Sequence, residues 1–407
     1  MMEQVYILGG LRSHLGLKNG IFKTIPPEQL GAALLRQLCV RWPEARKADL
    51  LICGNAVGSG GNLGRLMSLL AGLPETMPAV TVDMQCASAA EAIAMGYAKI
   101  RSGLADLVLC GGVESCSMQP LRIYQPWDAR YTPAGYYTAQ FSPDSNSPRV
   151  MLEGAERTAQ VHGVSREELD TWAVRSHKKA WQAVQVHVLD PYVVSLFGST
   201  KDESIRKSMS SRLAGRMPTL FTAEKAASLL TEQERQHVDP VTPTLTAANA
   251  CMTQDGAAFL ILVSKSLLAR WHRAGHTEAP LGKILEAAES GVNPRFSPLG
   301  ALAVGDKLLE RASLPAGKID VFEYNEAFAV ISALFARKYP TLTDRYLPLG
   351  GALAYGHPYG CSGAVLVLHA LAGLTTRQGR LGLCAIAGAG GTGAGLILER
   401  IAGGGEG

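Results

Sequence analysis

The chain has 407 residues, 47% of them hydrophobic, more than one core usually organises, so two domains or two closely packed halves are expected. Its 39 basic and 35 acidic residues leave a net charge of +4 without any Lys/Arg block, which argues against nucleic acid as a partner and suits a small anionic substrate. The eight cysteines form no Cys-x-x-Cys pair, no cluster has metal-ligand spacing, Met1–Gly20 lacks the apolar centre of a signal peptide, and no 18-residue apolar run occurs; a reduced, cytoplasmic protein with no metal and no membrane span is expected.

Strand-like runs at Val5-Tyr-Ile-Leu, Leu50-Leu-Ile-Cys, Leu107-Val-Leu-Cys, Phe259-Leu-Ile-Leu-Val, Val321-Phe-Glu-Tyr and Leu383-Cys-Ala-Ile-Ala alternate with helical stretches, the pattern of an α/β fold. In Val82-Asp-Met-Gln-Cys-Ala-Ser-Ala-Ala-Glu-Ala92 a β-type run ends and a small-residue helix, Ala87–Gly103, begins. Cys86 therefore faces the positive end of a helix. That end favours a thiolate by about 0.3–1 kcal/mol, less than the roughly 1.4 kcal/mol of one pKa unit, so the thiol needs a base from elsewhere in the chain. A strand, Ala105–Cys110, follows and runs into Gly111-Gly112.

Residues 346–388 repeat this plan: a Gly-rich loop carries His357, the helix Ser362–Leu374 follows, and the strand Leu381–Ala387 runs into a second glycine cluster. Two copies, each with a reactive side chain at a helix start, predict an internal duplication with the site between the halves. Residues 119–247 are richer in aromatic, Pro and charged residues and read as an inserted loop domain. The organisation is then an N-terminal half of residues 1–118 plus 248–267, the insertion 119–247, and a C-terminal half of 268–407. Within the insertion, Ser165-Arg-Glu-Glu168 ahead of Leu169, Trp172 and Ala173 predicts a helix opened by a capping box. Gly403–Gly407 reads as a frayed end.

Four segments carry the chemistry: the Cys86 turn, Asn325-Glu-Ala-Phe-Ala329, Gly350-Gly-Ala-Leu-Ala-Tyr-Gly-His-Pro-Tyr-Gly-Cys-Ser-Gly363, and the last glycine cluster. Together they resemble the thiolase family, enzymes that make or cleave 3-oxoacyl-CoA through a cysteine-bound acyl group. Gly111-Gly-Val-Glu-Ser115, Ser165-Arg-Glu-Glu-Leu169 through Arg175-Ser-His177, and Thr244-Leu-Thr-Ala-Ala-Asn-Ala-Cys-Met-Thr-Gln-Asp-Gly256 fall in the same order, so the resemblance spans almost the whole chain. It implies duplicated βαβαβ halves packed as α-β-α-β-α layers, acyl-CoA and CoA as partners, no cofactor apart from CoA as substrate or product, a homodimer or homotetramer, and a place in fatty acid metabolism.

Carried over residue by residue, the resemblance makes Cys86 the nucleophile and His357 the base. Asn325 would help hold a water or donor at the thioester oxygen; read alone, it is a helix cap ahead of Ala327–Tyr339. The backbone N–H groups of Cys86 and Ala389 would form the oxyanion hole, the latter provided its backbone does not require positive φ. Met151, Cys251 and Phe328 match acyl-pocket positions, and Val150 stands where short-chain biosynthetic members often have His. Arg212 and Arg216, which follow Asp202-Glu-Ser-Ile-Arg206, are candidates for the nucleotide phosphates, and the insertion around Glu224–Val238 is expected near the CoA mouth.

The chain departs from the family at its last motif. Thiolases usually end the final strand Cys-x-Gly-Gly-Gly, and that cysteine moves a proton at the α-carbon; here Ala387 takes the cysteine position and Ala389 that of the first glycine. Cys384 lies three residues earlier, about 10 Å away on the opposite strand face, and substitutes only if the strand is bulged. The other family position for such a cysteine is Ala327 here, Cys361 near His357 is a remote candidate, and Ala89, where many relatives have Gly, adds a methyl near the oxyanion position. The expected activity is a thiolase-like acyl-CoA C-acyltransferase with an acyl-Cys86 intermediate. The alternatives are a diverged transacylase or thioesterase without condensation, and a non-catalytic thiolase-fold subunit. Gly388-Ala-Gly-Gly-Thr-Gly393 also fits the dinucleotide fingerprint, but the 14 residues beyond it are expected to hold no second strand, which excludes a βαβ unit.

Overall fold

The computed structural model describes residues 3–143, 147–238 and 240–401; the Gly403–Gly407 tail lies outside them. In the N-terminal half, β1 (Val5–Ser13), β2 (Leu50–Gly54), β3 (Ala79–Val82), β4 (Leu107–Ser115) and β5 (Gln254–Ser264) lie side by side in the order β3-β2-β4-β5-β1. The first three are parallel, and β5 runs antiparallel to both its neighbours. In the C-terminal half β6 (Gly282–Gly291), β7 (Val321–Tyr324), β8 (Leu381–Gly388) and β9 (Thr392–Arg400) follow the order β6-β9-β8-β7, with only β7 and β8 parallel. The halves touch edge to edge where Val5–Ile7 of β1 pairs with Gly282–Ile284 of β6.

The main helices are α1 (Pro27–Arg41), α2 (Leu63–Leu70), α3 (Ser88–Arg101), α4 (Val150–Val161), α5 (Arg166–Gln185), α6 (Leu299–Arg311), α7 (Ala329–Lys338) and α8 (Ser362–Arg377). Side chains alternate across each strand, and the alternation sorts them into layers. Val108, Cys110, Leu260 and Leu262 from one sheet, and Cys384, Ile386 and Leu396 from the other, meet α3 and α8 in a central layer. Leu109, Phe259 and Ile261 pack outward on α1 and α2, and Phe322, Tyr324, Leu383 and Ile397 pack outward on α6 and α7. The result is the α-β-α-β-α stack with its duplicated halves. Residues Ser362–Leu374 of α8 are all buried, as a helix enclosed by two sheets must be. The segment Tyr359–Arg377 is apolar and long enough to cross a membrane, yet 83% of its most apolar window is buried inside the protein. Small residues let α3 and α8 meet: a Cβ on Gly363 would lie 2.3 Å from the backbone nitrogen of Ala90.

Several boundaries differ from the sequence reading, each for a physical reason. Strand β4 continues through Gly111-Gly112 to Ser115, because those glycines still pair with Phe259 and Ala258 of β5. A second strand does follow the last glycine cluster. It is β9, returning antiparallel to β8 through Gly390 and Gly391 at φ +88° and +81°. The segment is thus a hairpin turn, with no helix to receive a dinucleotide phosphate. Ser165 caps α5 by accepting from the Glu168 N–H, but Glu168 turns away from a reciprocal bond and pairs with Arg337 of α7 at 2.6 Å. Between β4 and β5 the described residues hold helices and one two-residue strand, Val193–Val194, which pairs in parallel with Arg12 and Ser13 at the end of β1.

Candidate active site

The turn that presents Cys86 is tight. Gln85 has φ +53°, a left-handed conformation that a non-Gly side chain adopts at a cost of about 1–3 kcal/mol when the surroundings enforce it. The enforcing contacts are local: Asp83 accepts from both the backbone N–H (2.8 Å) and the side-chain amide (2.9 Å) of Gln85. Ser88, the first residue of α3, donates to the Gln85 carbonyl at 2.5 Å and accepts from the Met84 N–H at 2.9 Å. Cys86 is left half-buried one residue before the Ala87 cap of α3, at the helix's positive end.

His357 arrives from the other half. A Cβ on Gly54, at the end of β2, would lie 2.5 Å from the Gly360 carbonyl, and one on Gly112, within β4, 2.1 Å from it. Glycine at both positions lets the turn 358–361 press against the end of the N-terminal sheet. Glu114 fastens it there. Its buried carboxylate accepts from Gly360 N (2.9 Å), Ala56 N (2.9 Å), Val57 N (3.2 Å) and Asn55 Nδ2 (2.8 Å). Burial raises its pKa to about 7 despite those donors. Sequence reading missed this hub, since Gly-Gly-Val-Glu-Ser shows nothing of the three segments that converge on it. Glu114→Ala leaves the buried N–H groups of Ala56, Val57 and Gly360 without this acceptor, at roughly 1–3 kcal/mol each before relaxation, while Asn55 Nδ2 keeps its bond to the Val113 carbonyl, so a loss of about 3 kcal/mol or more in unfolding free energy is expected from urea titration. An unchanged midpoint and slope would refute the hub.

The imidazole is fully enclosed and is held from several sides. Ser362 Oγ lies 2.7 Å from Nδ1, the Tyr359 ring packs edge-on at 5.1 Å, and the Asn325 amide nitrogen sits 3.5 Å from each ring nitrogen. Asn325 is neither a helix cap, since α7 starts at Ala329 with Phe328 as its cap, nor on the cleft wall. Its N–H is taken by the Ala385 carbonyl, which holds its amide behind the histidine. Ser362, overlooked in the sequence, occupies one ring nitrogen.

Cys86 and His357 open on one cleft of about 540 Å³. Met151, Val150, Cys251, Phe328, Ala387 and Ala389 also line it, so most of the residues expected at the acyl group do come together. Arg212 and Arg216 do not: both are exposed on or just after the short helix Ser211–Ala214, away from the wall. The arginines on the wall are Arg122 and Arg149, contributed by the loop after β4 and the turn before α4, whose irregular sequence carries no motif. No residue of Glu224–Val238 reaches the cleft among the described residues; this insertion is bound to α4 through Arg157 and Leu229 (2.8 Å) and to the 294–296 turn through Arg295 and Glu234 (2.9 Å).

The second-cysteine question is settled by strand register. Strand β8 pairs residue for residue with β9 from Leu381 opposite Glu399 to Gly388 opposite Thr392, without a bulge. Ala387 therefore faces the outer layer and the cleft, while Cys384 is buried in the central layer on the other face. Cys361 is also buried there and does not reach the cleft. Ala89 is enclosed in the same layer, so its methyl lies off the cleft wall. Ala389 does not have positive φ, which removes the condition set on its N–H.

Electrostatics keep the proton on sulfur at rest. Burial, then the nearby Glu114 charge, pushes the Cys86 thiol up to about 12, against the pull of the N–H groups of Cys86 and Ala389 that act on the sulfur. Burial lowers His357 to about 3, so its imidazole is neutral and able to accept a proton. Desolvation thus outweighs the helix dipole that the sequence emphasised. Iodoacetamide alkylation of Cys86 is expected to accelerate about tenfold per unit between about pH 7 and about pH 10. A plateau above about pH 6 would instead reveal a resting thiolate–imidazolium pair.

The family thiolase, N-terminal domain, matches residues 5–266, and thiolase, C-terminal domain, matches residues 278–400. The chain belongs to the thiolase family. It is similar to Staphylococcus aureus VraB (strain MRSA252), 32% identical over 376 residues, covering 90% of this chain and 92% of that one. It also resembles Bacillus subtilis YhfS, 31% identical over 397 residues with 97% and 99% covered; both are named as acetyl-CoA C-acetyltransferases. Among solved structures, the Bacillus anthracis acetyl-CoA acetyltransferase superposes with a TM-score of 0.85 at 25% identity, over 98% of this chain and 99% of that one. Acat5 thiolase from Ascaris suum, solved with coenzyme A, does so with 0.83 at 26% identity, over 98% and 100%. The thiolase described here is thus an acyltransferase.

Proposed function

We propose that this thiolase transfers acyl groups between coenzyme A thioesters through an acyl-Cys86 intermediate, cleaving or forming 3-oxoacyl-CoA. The observation that carries the reading is the meeting of Cys86 and His357, from opposite halves, on one cleft. A neutral imidazole beside a protonated thiol removes the thiol proton as sulfur attacks the acyl carbonyl. The N–H groups of Cys86 and Ala389 are the donors for the oxyanion that develops. Departure of CoA as a thiolate of pKa about 8.5 needs little acid assistance, so acylation is the easier half of the cycle. CoA as partner is supported by the coenzyme A complex of the similar Ascaris suum thiolase, and Arg122 and Arg149 supply positive charge on the wall.

The apolar wall formed by Met151, Leu152, Phe328, Ile331 and Pro298, with Val150 in place of a polar side chain, supports an acyl group longer than acetyl. Incubation with acetyl-CoA and longer acyl-CoAs, followed by intact mass and peptide mapping, is expected to show an acyl adduct on Cys86. No adduct with any acyl-CoA would overturn the reading.

A further inference from the structure

Carbon–carbon chemistry needs a group that carries a proton at the α-carbon, and Ala387 offers none. On the acyl-enzyme reading above, we propose that Cys251 is this proton carrier. Its backbone is clamped from both sides. Its N–H donates to the Ala327 carbonyl at 2.9 Å, the Asn249 carbonyl accepts from Ala329 at 3.0 Å, and the Met252 carbonyl accepts from the His357 N–H at 2.9 Å. The residues on either side of Cys251 form bridges too, Ala250 with Phe328 and Thr253 with His357. The strap 249–253 thus ties Cys251 to the segments bearing Phe328 and His357, and its half-buried thiol opens on the same cleft as Cys86. The two sulfurs are near enough for charge on Cys86 to act on Cys251.

Other proton-bearing groups on the wall fit less well. Asp83 is committed to Gln85, and Tyr359 is a phenol, intrinsically a weaker acid than a thiol by about 1.5 units; burial pushes both Tyr359 and Cys251 up from those intrinsic values. In the cleavage direction, the Cys86 thiolate attacks C3 of a 3-oxoacyl-CoA after His357 has taken its proton. The C2–C3 bond then breaks, its electron pair moves to C2, and the Cys251 proton is delivered there, releasing acetyl-CoA. The Cys251 thiolate next takes the proton of incoming CoA. That CoA thiolate attacks the acyl-Cys86 carbonyl, and Cys86 departs and recovers its proton from His357. The sum is 3-oxoacyl-CoA plus CoA giving acyl-CoA plus acetyl-CoA, with no oxidant or reductant consumed.

The test uses acetyl-CoA in D2O with the full chain, reading acetyl-Cys86 by mass and deuterium uptake at C2 of acetyl-CoA separately. Cys251→Ala is expected to retain the adduct while C2 exchange falls by about 100-fold or more. Cys251→Ser is expected to lose exchange as well, Tyr359→Phe to keep it, and Ala387→Cys placed in the Cys251→Ala background to restore part of it. Exchange within about threefold of the parent in Cys251→Ala, exchange lost only in Tyr359→Phe, or a parent protein that forms adduct but never exchanges C2 would each overturn the role of Cys251. Loss of adduct and exchange together in Cys251→Ala and Cys251→Ser would overturn it as well, pointing to a structural role. A parent protein with no adduct would overturn the acyl-enzyme reading, and this inference with it.

Discussion

Cys86→Ala is expected to abolish the acyl adduct and to lower 3-oxoacyl-CoA thiolysis on the order of 10⁴-fold or more, because on the proposed function the acyl group is carried on that sulfur. The fold should survive the change. The turn that carries Cys86 is held by Asp83 and Ser88, not by the thiol, and alanine also removes the cost of a charge developing near Glu114. Intact mass after exposure to acyl-CoA, with circular dichroism as the folding check, decides the matter. An adduct of undiminished yield on the variant, mapped to Cys251 or elsewhere, would sink the assignment of the nucleophile.

The second large effect is expected at His357. His357→Asn should slow acylation of Cys86 by about 10²–10⁴-fold, the usual contribution of a positioned general base, with smaller effects on substrate binding. The pH dependence gives the decisive sign. Burial pushes the thiol up to about 12 and lowers the imidazole to about 3, so at neutral pH the thiol rests protonated and the imidazole neutral, with a free site to take the proton as sulfur attacks. Solvent hydroxide takes over that task as pH rises, so the deficit of His357→Asn should shrink steadily toward about pH 10. Stopped-flow acylation rates across that range test it. A deficit independent of pH would mean that His357 positions groups without moving the proton.

Much of this site was legible in the primary structure because its key residues sit in short segments with strong local grammar. A strand ending in a cysteine before an alanine-rich helix reads as a nucleophile turn, and Gly-His-Pro ahead of a second such helix reads as its repeat. Helical spacing marked α5, and strand parity alone placed Cys384 away from the cleft, as the unbulged β8–β9 register shows. Elsewhere the signals were weak. Strand β6, Gly282–Gly291, mixes polar and small residues along its length, and β9 opens with Thr392-Gly-Ala-Gly395, which leaves only Leu396-Ile-Leu398 as an apolar run. Asn325 looked like a helix cap by its position ahead of an apolar run; its backbone bond to Ala385 carries the chain straight past that position, and helix α7 begins four residues later.

The roles of Glu114 and Ser362, and the backbone clamps on Cys251, which the resemblance already placed at the acyl pocket, were invisible for a different reason. Each acts through partners far away in sequence, as Glu114 does in reaching Gly360 across the boundary between halves. By itself the sequence determined the duplicated α/β plan and the thiol at a helix start, because helix starts, glycine turns and strand parity are local properties of the chain; His357 as the partner of that thiol came only with the family resemblance. Tertiary structure alone decided which thiols share the cleft, how burial sets Cys86 and His357 apart in proton affinity, and which arginines line the cleft. Desolvation and proximity depend on what packs around a group, and that is settled only when the two halves close on each other.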